Sequence, residues 1–90
     1  MEAIIAKDLI PGQRYYIESV SDKKSRQIGL CKKVTHLKED WYEGHFSDIA
    51  EIKKINGYGN SGLHYGEGIR HSYWFTFYKV QSIEYNKKIE

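Results

Sequence analysis

Apolar and polar residues alternate along most of this chain with the two-residue period of β-strands rather than the 3.6-residue period of helices. Arg14 to Val20 (RYYIESV) reads as a strand, with Tyr15, Ile17 and Ser19 on one face and Tyr16, Glu18 and Val20 on the other. The polar run SDKKS (Ser21 to Ser25) then closes a hairpin onto Arg26 to Leu37. In that second strand Ile28, Leu30 and Val34 are expected on one face, with Gly29 and Cys31 on the other. A glycine within a strand marks a bend or bulge, so Gly29 is where the strand should curl.

LKED makes the next turn, and Trp41 to Phe46 reads as strand. Asp48 to Ile55 (DIAEIKKI) fits a helix by the spacing of Ile49, Ile52 and Ile55, or a strand in which a bulge lines up the same isoleucines. Its β-like neighbours favour the strand. Asn56 to Ser72 holds five glycines and is expected to be a long loop. Tyr73 to Val80 (YWFTFYKV) is the clearest strand, with Tyr73, Phe75 and Phe77 on one face and Trp74 and Tyr78 on the other. A short last strand is expected within Gln81 to Tyr85, followed by a polar tail at 86–90. Before the Pro11-Gly12 turn, Ile4, Ile5, Leu9 and Ile10 fit a strand or a single helical turn. Short strands at this spacing predict an all-β domain, a small barrel of five or six antiparallel strands over residues 1–90, with a Gly-rich loop at 56–72.

Ninety residues leave room for one domain, and a chain so short hides a modest share of its surface. Its core material is rings: eight Tyr, three Phe and two Trp against a single Met. That exceeds what one face of a small sheet hides, and Tyr and Trp are the residues of interface cores. The expectation is therefore a protein-interaction module that works without catalysis, self-associates as a homo-oligomer such as a dimer, and docks through Trp41, Tyr42, Tyr58, Tyr65 and Trp74.

The charge balance is fourteen basic to twelve acidic residues, a net +2, too weak to argue for nucleic acid or a membrane surface by itself. The second expectation is a nucleic-acid groove built from Arg14, Lys32, Lys33, Lys53, Lys54 and Arg70, with rings for base stacking. Lysine pairs such as Lys32-Lys33 and Lys87-Lys88 also have a plainer role, protecting strand edges. Cys31 is the only cysteine, so no internal disulfide forms, and a reducing, intracellular compartment is expected. No run of apolar residues reaches membrane-spanning length, and MEAIIAKDLI lacks the basic start and long apolar stretch of a secretory signal.

Candidate chemistry is sparse. Gly57-Tyr58-Gly59-Asn60-Ser61-Gly62 matches a dinucleotide fingerprint, but LHYGEG follows it where a helix is needed, so no cofactor is expected. His36, His45, His64 and His71 lack metal-motif spacing, so no metal is expected. Cys31 lies between Leu30 and Lys32 in a strand and fits a small buried thiol better than a nucleophile. Asp40 and Glu43 flank Trp41 and Tyr42, an arrangement for acid–base work, for a cage around a methylated lysine, or simply for a solvated turn.

The run LIPGQRYYIES, SDKKS, RQIGLCKKV, with YWFTFYKVQSIEY near the end, resembles SH3-like and Tudor-like small barrels over roughly residues 8 to 86. The features match in order: a Pro-Gly turn, a Tyr-rich first strand, a polar hairpin, a Gly-kinked second strand and an aromatic penultimate strand. More narrowly, the chain looks like short single-domain proteins of large DNA viruses of amoebae, such as the marseilleviruses. That resemblance implies a viral protein, carried in the virion or acting on host components, and it supplies no catalytic residues. The chain departs from peptide-binding SH3 domains in lacking their acidic loop beside an Ala-Leu-Tyr-Asp-Tyr strand, so a proline-rich ligand is not implied.

Overall fold

A computed structural model describes residues 3–22, 25–52 and 64–80. Among them the chain is all-β: β1 (Ala3–Ile4), a 3-10 turn (Ala6–Asp8), β2 (Arg14–Ser19), β3 (Arg26–Lys38), β4 (Trp41–Ile52), β5 (His64–His71) and β6 (Phe75–Lys79). The six strands form one antiparallel sheet in the order β1-β6-β2-β3-β4-β5. None of the helices in the described residues is long and apolar enough to cross a membrane. The expected last strand and polar tail at 81–90 lie outside the described residues.

The sheet curls. β5 and β6 stand four strand spacings apart in the order, about 19 Å in a flat sheet. Only Ser72, Tyr73 and Trp74 connect them, and the Trp74 N–H donates to His71 O at 3.0 Å, closing a tight turn. The two elements can meet this way only if the sheet bends round on itself. Among the described residues β5 and β6 share no ladder, so the expected all-β domain of six antiparallel strands is present as one curled, unclosed sheet.

Bulges provide the bend. The β3–β4 register shifts at Ile28/Leu30, Cys31/Lys33 and His36/Lys38, so Gly29 does mark a bulge. These shifts also reassign faces. Ile28 packs outward with Tyr16, Ala50 and Ile52, while Val34 packs against the inner core, so the expected shared face of Ile28, Leu30 and Val34 is not formed. In β4 the strand reading holds as far as Ile52, and residues 53–55 lie outside the described residues. Its bulge, where Asp48 takes φ 52°, brings Phe46 and Ile49 inward together rather than Ile49 and Ile52.

The inner core is Tyr15, Ile17, Cys31, Phe46, Ile49 and Phe77, capped by Ala6 of the 3-10 turn and by Leu9 just after it. Phe46 and Phe77 stack at 5.6 Å between centroids. The first ten residues therefore contribute both a strand and a helical turn, and the Pro11-Gly12 turn is pinned to β3 by the Gly12 N–H donating to Cys31 O at 2.8 Å. On the outer face, Glu18 is buried, accepts from Arg26, and accepts from the Tyr78 hydroxyl at 3.2 Å.

Two expectations near the C-terminal end are corrected. His64 to His71 is not loop but β5, and 56–63 lie outside the described residues. The glycines there serve a strand: Gly66 takes φ +74° at a register shift, which side chains disfavour, and a Cβ on Gly68 would press the Arg70 guanidinium at 2.8 Å. The last described strand begins at Phe75, since Tyr73 and Trp74 are used by the turn from β5.

Candidate aromatic groove

The turn that joins β5 to β6 is clamped to β4. Ser72 N–H donates to Tyr42 O at 2.9 Å, and the Tyr42 N–H donates to Ser72 Oγ at 3.0 Å. Tyr73 N–H donates to His71 Nδ1 at 2.9 Å, and Val20 N–H reaches across from the end of β2 to Trp74 O at 3.0 Å. With its backbone so engaged, the turn directs its large side chains outward.

Trp41 opens β4, straight after a turn in which Glu39 takes φ 49°. Its ring lies 5.3 Å from Tyr73 and meets His71 edge-on at 5.6 Å, and Tyr73 meets Trp74 edge-on at 4.7 Å. The Lys38 ammonium sits 5.2 Å over the Trp41 ring. Despite these contacts the rings stay in water: Trp41 is 40%, Tyr73 54% and Trp74 55% exposed. Rings that touch one another rather than the core make one continuous apolar surface, the kind that marks a contact site.

Beside them runs a groove of about 400 Å³. Trp41 and Tyr73 form one wall, Ile4 and Ile5 the other, and Phe75 to Phe77 of β6 the floor. Ile5 is 65% exposed at the rim, and Asp40 lines the groove beside Trp41. Asp40 makes no ion pair among the described residues, and it is the one charged residue they contribute to the lining.

The residues named from sequence divide sharply. Trp41 and Trp74 come together in this surface through Tyr73, which composition did not single out. Tyr42 is half-buried, packs against the inner core and stacks on His36 at 4.5 Å. Tyr65 is exposed on β5, six residues and about 20 Å of strand from His71, and joins no ring of the groove. Tyr58, Lys53 and Lys54 lie outside the described residues. A signal for Tyr73 existed: an aromatic pair directly after a polar Ser72, where the alternation of one strand ends and another begins.

Of the basic set, Arg14, Lys32, Lys33 and Arg70 are among the described residues. Arg14 pairs with Asp48 at 3.7 Å, and Lys32 and Lys33 are exposed on β3. Arg70 turns inward: Nε donates to Gln27 Oε1 at 3.0 Å, Nη1 donates to Ile69 O at 3.1 Å, and the guanidinium lies 5.4 Å from the Phe75 ring centre. Burial lowers its pKa below the ordinary arginine value. Cys31 is buried in the inner core, where burial pushes its thiol up, away from the reactive thiolate. Among the described residues no three His, Cys, Asp or Glu side chains gather as a metal site. His45 Nε2 meets Thr35 Oγ1 at 3.1 Å, and His36 Nε2 meets Glu39 O at 2.8 Å.

No protein-family model, curated protein or solved structure matches this chain.

Proposed function

We propose that this chain is a non-enzymatic protein-interaction module that docks protein partners, a second copy of itself among them, on the ring-walled groove. One observation carries the reading: Trp41, Tyr73 and Trp74 touch each other, remain about half exposed, and border a groove that opens onto apolar side chains of the sheet. Exposed, clustered Trp and Tyr are the anchors of protein interfaces, because a large ring loses little conformational freedom when it is covered. The nucleic-acid reading is less well supported, since Arg14 is paired and Arg70 is turned into the fold.

The fold we propose for the module is an SH3-like barrel left open at one seam. The order β6-β2-β3-β4-β5, with a three-residue link from β5 to β6, supports it. A setting in a virion or an infected host cell rests on the sequence resemblance alone.

Light scattering on the eluting protein at 1–100 µM, a range of about two decades around common dimer affinities, tests the self-association half. We expect a mass above that of one chain, falling to one chain for Trp41→Ala combined with Trp74→Ala. A single-chain mass across the whole range for the unaltered protein rejects self-association.

A further inference from the structure

The open seam has a backbone consequence. Hydrogen bonds along an antiparallel strand alternate between its two edges. Val20 N–H donates to Trp74 O, so residues 74, 76 and 78 turn their backbone groups toward β2, and residues 75, 77 and 79 turn theirs to the opposite edge. On that edge β1 covers Phe77, through the pair Ile4↔Phe77. It goes no further: at Ile5 the chain leaves the lane for the 3-10 turn Ala6–Asp8. Phe75 thus presents an N–H and a C=O to the groove, with no strand opposite among the described residues.

We infer that the groove accepts an extended segment of a protein partner, which adds a strand beside Phe75 and places a lysine or arginine against Asp40. Three features converge on this ligand. The floor offers a backbone edge that only another extended backbone satisfies in full. The walls, Ile5 on one side and Trp41 with Tyr73 on the other, suit the alternating side chains of such a strand. The single charged residue on the lining, among the described residues, is Asp40, and the aromatic wall beside it also favours a cation. A second copy fits the lane less well. Its long edge strand, β5, is bent by the Gly66 bulge and carries the inward-turned Arg70, and both features hinder edge pairing.

The inference rests on the proposed docking role, and its test is separate from the mass measurement. The full chain is panned against a fully random seven-residue peptide library displayed on phage. We expect selected peptides with alternating apolar residues and at least one Lys or Arg. Their synthetic forms should slow hydrogen exchange at the Phe75 amide about tenfold or more, lose about tenfold in affinity when the amide facing Phe75 is N-methylated, and lose about two- to fivefold against Asp40→Asn. Three results overturn it: no peptide enriched over a Trp41→Ala, Tyr73→Ala control; selected peptides that leave Phe75 exchange unchanged; or N-methylation without effect. If the last occurs while Trp41→Ala still abolishes binding, the docking surface stands and strand addition falls. If the only occupant that protects Phe75 is a second copy, seen as protection that rises with protein concentration, the assigned partner is wrong although the lane is real.

Discussion

The β2–β3–β4 wall and the β5–β6 seam are made from similar residues and treated in opposite ways. In the wall both faces are packed: Tyr15, Ile17, Cys31 and Phe46 turn inward, and Tyr16, Ile28 and Ala50 turn outward into a second cluster. At the seam the rings of Trp41, Tyr73 and Trp74 lean on one another and stay in water. The wall is held by burial. The seam is held by directional bonds: the Ser72–Tyr42 clamp, the Trp74–His71 turn and Arg70 bound to Gln27. Hydrogen bonds fix a geometry for little net stability, and burial supplies stability with little direction. A small domain can therefore leave its binding surface open where hydrogen bonds hold the geometry, provided the core is tight elsewhere.

The largest effect is expected in the wall. Phe46 is 2% exposed and stacks on Phe77, so Phe46→Ala should cost about 3–5 kcal/mol, a large part of the stability of a domain this size. Urea unfolding measures it. Gly44→Ala attacks the same ring from the other side. An added Cβ would stand 2.5 Å from Phe46 Cε1, and the buried ring has no room to yield, so a loss of about 1–3 kcal/mol is expected.

Next comes the outer-face network. Glu18→Ala leaves the largely buried Arg26 guanidinium and the Tyr78 hydroxyl without their shared acceptor, at about 3 kcal/mol. The same network predicts a pH dependence. Burial, and then the Glu18 carboxylate, raise the Tyr78 pKa above its ordinary 10.0, and burial raises that of Cys31 above 9.0. Both groups are neutral when protonated or not yet ionised, in either state, below these values, so the full stability is present there. As pH rises past them the unfolded chain ionises first, and stability falls through the raised native values. Tyr78→Phe should flatten the part of this alkaline loss above pH 10, read as unfolding midpoints from pH 8 to 11.

How much of this the sequence showed follows the same division. The strands of the wall were legible because their alternation reports burial directly: Tyr15 and Ile17 against Tyr16 and Glu18 is the observed split. Bulges escaped in their consequences, since each shifts every later residue to the other face, as Ile28 and Val34 show. β5 was hidden because glycine has two uses. Composition alone does not separate a flexible loop from a strand whose Gly66 forms a bulge and whose Gly68 admits Arg70. Of the candidate site, Trp41 and Trp74 were legible as large exposed rings. Tyr73 and Phe75 were not, because what sets them at the groove is a three-residue turn across the curled sheet, a long-range consequence of strand order.

A smaller effect should appear at the seam. Arg70→Met keeps an unbranched apolar stem but removes the bonds to Gln27 and Ile69 and the guanidinium over Phe75, at about 1 kcal/mol. If the seam is held by directional bonds, amide exchange should speed up at Tyr73 and Trp74, whose N–H groups donate to His71, and stay unchanged in β2 and β3. Uniform acceleration would mean that the seam and the wall open as one unit.

The smallest stability effect belongs to the rings themselves. Trp41 and Trp74 are too exposed to contribute much to the core, so replacing either with Ala should move the unfolding free energy by no more than about 0.5 kcal/mol. A core role would cost several times that amount, so urea unfolding of these variants separates a surface kept for contact from one that merely failed to be buried. If Trp41→Ala destabilises like Phe46→Ala, the rings belong to the wall and the contrast between the two regions is lost. If it leaves stability intact while association or peptide binding disappears, these side chains are retained for a partner, since the fold of the single chain does not need them.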